Sequence, residues 1–435
     1  MKPSSFPRWT LALLLLVITP LAASGGDLRA AAVKIDITPD TPQPMIGYAH
    51  RMSNGVHTPL FHRILVLDDG QTKTVIASTE VCLVSPAEYD RTAALVEKAH
   101  GIPPLHFFWT VTHTHSAPQI GPHGMTTVYL PSRTTTSDYD RAYNEKSIRQ
   151  LVDGIGAAIA KLEPARLGVG SGSSDANINR RERAANGSIV LGNNPQGAVD
   201  RHIGVLKLVK RTDNAPLAAL ANYAIHATVL GPKSLLISGD ATGIAAAHVE
   251  EKIGVPMLFV NGAAGNIAPI YSVCPTPAEG RIDEFKSRLG DPILTALGAV
   301  VDFRDSLSVQ SWEAVFETPR KTGLGWNDDL AAYTRTGADG LPLVRMPCRF
   351  LRLDKDILAW SAPAEIFCEY ALAARASSPY AHTFFFGYTN GWFGYLPTAE
   401  GFAEGGYETT VTPFSPAVDA PFREFVRKQI RAHSP

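Results

Sequence analysis

Past its first two dozen residues the chain alternates short apolar runs, rich in β-branched and aromatic residues, with a few longer stretches whose apolar positions recur every three or four residues. The short runs read as strands at 32–37, 63–67, 74–77, 106–111, 217–224, 257–260, 350–353 and 383–386, most of them bounded by Gly, Pro, Asp or Asn. The clearest helix is expected over 145–162, where Ile148, Leu151, Val152, Ile155, Ile159 and Leu162 form one stripe. A second should start after Ser238-Gly239-Asp240 and run to about Ile253, with Asp240 able to cap it through a first-turn amide. A third, around 282–297, carries Ile282, Phe285, Leu289, Ile293 and Leu297, and Pro292 should kink or split it. There is no internal repeat and no low-complexity linker, so the pattern predicts one α/β unit with mixed β-sheets flanked by helices. Two long loops, 122–139 and 321–342, interrupt it, and the first is expected to border the mouth of a site.

Composition narrows the class. Of the 435 residues 45% are hydrophobic and 19% charged, which suits a folded chain. The 40 Lys and Arg nearly balance the 41 Asp and Glu, and no run of like charge could follow a phosphate backbone, so nucleic acid is not an expected partner. Lys2 and Arg8, the apolar run 11–18 and the small residues Ala22-Ala23-Ser24 read as an export signal over 1–26, cleaved between Ser24 and Gly26. An uncleaved anchor is the other reading, but a span needs about 20 apolar residues. The mature chain, 27–435, is then expected to be periplasmic or secreted, without stable membrane insertion. Cys82, Cys274, Cys348 and Cys368 form no CxxC pair and are expected to be buried or paired in one or two bridges, with three full pairings possible.

Chemistry enters where apolar strands run into histidines. The run 105–111 leads into Thr112-His113-Thr114-His115-Ser116, and on an extended backbone His113 and His115 share a face and could bind a metal. Histidines flanked by threonines also serve as plain hydrogen-bonding loop residues. Asn222-Tyr223-Ala224-Ile225-His226 ends another strand in a histidine, either a ligand or a satisfied core residue. Ile357-Leu358-Ala359-Trp360-Ser361-Ala362-Pro363-Ala364-Glu365 delivers one carboxylate to a turn, as a ligand or as a cap for the following helix, with capping slightly favoured.

In order, these segments resemble the neutral/alkaline ceramidase family across nearly the whole mature chain. The resemblance rests on Ile35-Asp36-Ile37-Thr38-Pro39, Met45-Ile46-Gly47-Tyr48, Thr112-His113-Thr114-His115-Ser116-Ala117-Pro118, Asn177-Ile178-Asn179-Arg180, Ser238-Gly239-Asp240, Gly387-Tyr388-Thr389-Asn390-Gly391, Tyr395-Leu396-Pro397-Thr398 and Tyr407-Glu408. It implies one zinc ion per chain held by His113, His226, Glu365 and Tyr395, a donor set acceptable for catalytic zinc. It assigns His115, Arg180 and Tyr407 to orienting the substrate and stabilising the oxyanion. The implied reaction is hydrolysis of an amide bond of ceramide or a related small-molecule or lipid N-acyl compound by zinc-bound water.

Two departures bear on that expectation. The family pattern Gly-Asp-Val-Ser-Pro carries an active-site serine, whereas this chain has Gly265-Asn266-Ile267-Ala268-Pro269, so no serine nucleophile stands at 268. Many members carry a C-terminal β-sandwich, whereas this chain stops at Pro435, and a single catalytic domain is expected. An esterase or lactonase, and a non-catalytic pocket protein, are the alternatives; retention of all four zinc donors speaks against the last.

Overall fold

The computed structural model describes residues 25–48, 51–121, 139–275, 277–322, 324 and 328–434. The signal over 1–26, save its last two residues, and the loop expected over 122–139, save Tyr139, lie outside the described residues. All eight expected strands are matched, to within one residue at their ends where they overrun, by Arg29–Asp36, Phe61–Asp68, Lys73–Thr79, Phe107–Val111, Pro216–Tyr223, Met257–Asn261, Pro342–Leu353 and His382–Phe386.

Six of them join His202–Lys210 and Glu163–Ser173 in an eight-stranded mixed sheet. Its order is Met257–Asn261, Pro216–Tyr223, His202–Lys210, Glu163–Ser173, Arg29–Asp36, Phe61–Asp68, Lys73–Thr79, Phe107–Val111. Only the outermost pairs are parallel. The sheet curls until its edges approach, and Ser78 Oγ donates to the Phe259 carbonyl at 2.5 Å while Asn261 Nδ2 donates to Thr112 O at 3.1 Å. A second sheet, ordered Val309–Pro319, Pro342–Leu353, Ile357–Ser361, His382–Phe386, packs on one face. Leu65, Leu67, Phe108 and Leu206 meet Leu351, Ile357, Phe384 and Phe386 between them.

Helices close both outer faces. Pro86–His100 and Arg141–Ala160 cover Val33, Ile64, Val66 and Val75, and Asp240–Ile253 with Asp291–Gly298 covers Val205, Ala219 and Phe259. Cys368–Ser377 and Asp419–Ala432 cover the far side of the second sheet through Tyr370, Phe422 and Val426 on Trp360 and Phe385. Each such buried aliphatic or aromatic side chain contributes about 1.5–3 kcal/mol, which makes this four-layer stack a rigid platform. Among the described residues no helix is long and apolar enough to cross a membrane.

The differences from expectation have local causes. Glu163–Ser173 reads as a loop because Gly168, Gly170 and Gly172 alternate along it; a Cβ on Gly168 would come within 2.4 Å of Val300, so the glycines admit the segment packed above. The polar strand Asn177–Arg183 and the long strand Val309–Pro319 were not expected either. The third helix is split as Pro292 suggests, into a 3-10 turn Glu279–Glu284, a π turn Lys286–Gly290 and an α-helix Asp291–Gly298 in whose first turn the proline sits. Asp240 is the first residue of its helix and not its cap: Gly239 stands at the N-cap without a side-chain bond, and the Asp240 carboxylate accepts from Ala241 N at 2.7 Å and holds Val229 N and Leu230 N at 3.1 and 2.9 Å, fixing the loop beyond His226. No cysteine is bridged: all four are free thiols, and Cys82, Cys348 and Cys368 are buried.

Candidate metal centre and pocket

The curl of the large sheet builds the site. It sets the chain leaving Phe107–Val111 beside the chain leaving Pro216–Tyr223, strands from different parts of the sheet, and a parallel bridge joins Thr114 to Ala227. His113 does not continue the strand as the extended reading supposed. Its φ is +64°, and its amide donates to Val81 O at 3.0 Å. His113 and His115 therefore meet around a turn, rings 81° apart and Nε2 atoms 3.3 Å apart, rather than as alternate residues of a strand. Tyr388, whose φ is +52°, stacks on the His113 ring at 4.1 Å. Non-glycine residues held at positive φ cost about 1–3 kcal/mol each and gather where geometry serves function.

Each inner imidazole is oriented from behind. His113 Nδ1 donates to Cys82 O at 2.9 Å and His226 Nδ1 to Ala264 O at 2.8 Å. Both Nε2 atoms thus face inward, as outer carbonyl partners arrange for metal-binding histidines. The two Nε2 atoms lie 3.1 Å apart, and Glu365 Oε2 lies 3.4 Å from that of His113 and 3.2 Å from that of His226. Tetrahedral zinc with bonds of about 2.0–2.1 Å separates its donors by about 3.3 Å, so this triangle matches such an ion. The Tyr395 hydroxyl stands 3.5 Å from His226 Nε2.

Glu365 and Tyr395 arrive together because their two-residue strands pair in parallel with these residues in register. The capping reading of Glu365 is corrected: the helix Cys368–Ser377 starts after Phe367 without a side-chain cap. Its carboxylate instead accepts from Trp392 Nε1 at 2.8 Å and from the Tyr388 hydroxyl at 3.4 Å.

Electrostatics fit a cation. Burial alone would lower the His113 pKa, yet Cys82 and Glu365 lift it to about 10. Burial opposes the Glu365 charge, but His113 and His226 hold its pKa well below the usual range. Burial, Arg180 and His113 push His226 down to about 3, and burial with the neighbouring histidines keeps His115 neutral. The cluster pairs one protonated imidazole, His113, with the Glu365 carboxylate, and metal binding there would displace that proton.

Above this cradle lies a cavity of about 250 Å³ lined by His115, Arg180, His226 and Tyr395 at its floor and by Tyr48, Leu191, Val273, Cys274 and Tyr407 on its walls. Arg180 Nη1 sits 3.0 Å from His226 Nε2, and Arg180 Nη2 and His115 Nδ1 are buried polar atoms without a partner. Tyr407 packs its ring 5.7 Å from that of Tyr395 and is 41% exposed. Gly47 has φ +103°, and a Cβ there would lie 2.5 Å from the His115 ring. Ala268 lines the same cavity.

The structure brings all seven sequence-selected residues to one place. Sequence reasoning gave no role to the residues that hold them: Tyr388 and Glu408, which lie inside the motifs at 387–391 and 407–408, Trp392, which lies between the motifs at 387–391 and 395–398, and Cys82, which carries no local signal.

Residues 30–267 match the family model described as neutral/alkaline non-lysosomal ceramidase, N-terminal. The chain is 28% identical over 295 residues to a neutral ceramidase of Pseudomonas aeruginosa, covering 63% of this chain and 42% of that one. It is 27% identical over 230 residues to neutral ceramidase B of Dictyostelium discoideum, covering 49% and 30%. The chain thus spans less than half the length of these relatives. The crystal structure of neutral ceramidase from Pseudomonas aeruginosa shares the fold, with a TM-score of 0.74 over 95% of this chain and 76% of that chain at 21% identity.

Proposed function

Since this chain belongs to the neutral/alkaline non-lysosomal ceramidase family, we propose that it is a zinc-dependent hydrolase cleaving the amide bond of ceramide or a related N-acyl compound. The observation that carries the reading is the convergence of His113 Nε2, His226 Nε2 and Glu365 Oε2 within 3.1–3.4 Å of one another, with the Tyr395 hydroxyl alongside. A zinc ion bound there would supply Lewis acidity, making hydroxide available near neutral pH and polarising a carbonyl.

The protein's own groups have separate tasks in this reading. Arg180, through the partnerless Nη2, donates to the acyl oxygen as negative charge develops on it; removal of one such donor typically costs about 10²–10³ in kcat. Tyr407 provides a hydroxyl beside Tyr395 on the cavity lining. His115, kept neutral by burial and the neighbouring histidines, lines the cavity beside the cradle, where it orients the substrate and supports the developing oxyanion. With alanine at 268, no side chain there forms an acyl intermediate, which favours direct attack by water. The lysine, arginine and apolar run at the start of the chain support export, with 27–435 as the catalytic domain.

Metal analysis combined with a panel of N-acyl and O-acyl substrates tests the reading. It expects about one zinc per chain and chelator-sensitive release of amine. Absence of zinc, or turnover indifferent to chelator, would overturn it, and release of alcohol alone would favour an esterase.

A further inference from the structure

The groups that hold Arg180 and Tyr407 in place form a unit separate from the cradle. Arg180 and Arg181 are consecutive on the strand Asn177–Arg183, where neighbours ordinarily point to opposite faces. Against Ile189–Asn194 the register slips between Asn179 and Arg181, and irregularities of this kind re-aim side chains. Both guanidiniums consequently reach one carboxylate. Arg180 Nε donates to Glu408 Oε1 at 2.9 Å, and Arg181 Nη1 donates to Glu408 Oε2 at 2.6 Å. Glu408 has no exposed surface, so these charge-assisted bonds are not shared with bulk water.

Arg181 grips the same stretch of chain elsewhere. Its Nη2 donates to Gly401 O at 3.1 Å and to Gly405 O at 2.8 Å. Gly405 and Gly406 follow with φ of +77° and +95°, and the four-residue helix Tyr407–Thr410 starts directly after them. Two successive glycines impose little direction of their own, so the heading of Tyr407 depends on what its neighbour Glu408 is tied to.

We propose that Glu408, gripped by Arg180 and Arg181, is a positioning residue that aims the Arg180 guanidinium into the cavity and holds Tyr407 at the cavity lining beside Tyr395. Arg180 spends Nε on Glu408 and sets Nη1 beside His226, which leaves Nη2 as the buried donor without a partner. Releasing Nε would let the guanidinium turn and scatter that donor. Glu408 itself is no acid or base for the reaction: both its oxygens are occupied and it does not line the cavity. The kinetic consequence rests on the hydrolase reading above; the structural consequence does not.

Glu408→Gln and Arg181→Met, each compared with the unaltered protein, test the inference by amide hydrogen exchange over 399–410 and by kcat and KM on an N-acyl substrate. Both variants should exchange at least tenfold faster over 399–410, with exchange over 216–228 unchanged. Glu408→Gln should lose roughly 10- to 100-fold in kcat with KM moved less than threefold, and Glu408→Asp should recover part of it. Unchanged exchange in both variants, or wild-type kcat in Glu408→Gln despite faster exchange, overturns the proposal. Should the unaltered protein hydrolyse no acyl substrate, the hydrolase reading falls, and exchange alone decides: lost protection supports the clamp and retained protection overturns it. If Glu408→Gln does not fold, Glu408→Asp carries the kinetic comparison, with wild-type kcat overturning the proposal, and Arg181→Met, which leaves the Arg180–Glu408 pair intact, carries the exchange comparison.

Discussion

The cradle and the arginine–tyrosine side of the cavity that adjoins it are held in place by different means. The cradle hangs on backbone: Cys82 O and Ala264 O set the two imidazoles, and paired two-residue strands deliver Glu365 and Tyr395. The arginine–tyrosine side hangs on side-chain charge, two arginines closing on one carboxylate beside a short helix that follows two glycines. A cation needs donors placed to a fraction of an ångström, which main-chain anchors on a packed platform provide. A developing oxyanion needs a donor that is correctly aimed, and an ionic clamp can do that from an otherwise loosely constrained segment.

The comparison can be broken first at the cradle. Glu365→Gln should lower zinc affinity beyond the roughly 10- to 100-fold typical of an outer partner, and kcat/KM with it; a variant that keeps full metal content through dialysis against a chelator would remove Glu365 from the ligand set. Next comes acid stability of the scaffold beneath. His62 is buried, donates from Nε2 to Ser147 O at 3.0 Å and accepts at Nδ1 from Thr79, whose carbonyl in turn receives the Thr112 amide. Burial lowers its pKa from 6.5 to about 4. Its neutral form therefore contributes stability that is present above pH 6.5 and lost as pH falls towards 4, about 3 kcal/mol at 1.36 kcal/mol per pH unit. Urea unfolding between pH 7 and 4.5 should show this loss in the wild type and less of it in His62→Gln.

Smaller effects separate outer from inner partners. Trp392→Phe removes the 2.8 Å bond to Glu365 Oε1 while keeping an aromatic ring, and chelator competition should show about 10- to 100-fold weaker zinc. Wild-type affinity would mean that Trp392 merely fills space. On the arginine–tyrosine side, the exposed Arg183–Glu404 pair, with side chains 57% and 30% accessible, contrasts with the buried clamp. Arg183→Ala should cost less than about 1 kcal/mol and leave kcat unchanged, and a thermal shift above about 4 °C would contradict the distinction.

Much of the platform was legible because burial repeats with the period of the element. The stripe Ile148, Leu151, Ile155 gave the helix Arg141–Ala160, and the apolar runs gave eight strands. Strands whose side chains are glycine or arginine were not legible, since Gly168, Gly170 and Arg181 become strand residues only through their partners. At the site, histidines following strands were visible, and a family resemblance selected His113, His226, Glu365, Tyr395, His115, Arg180 and Tyr407. Glu365 by itself looked more like a cap, because no local rule distinguishes a carboxylate held by Trp392 from one that starts a helix.

Taken alone, the order of residues determined which side chains were available and which faces of each element had to be buried, since both follow from chemistry and periodicity within a few neighbours. Tertiary structure decided how they meet. Curling of the sheet brought Thr114 beside Ala227, a turn at positive φ swung His113 onto His226, and a slipped register at Arg180 joined two arginines to Glu408. These arrangements depend on contacts between residues more than a hundred positions apart, whose energies appear only once the layers have packed.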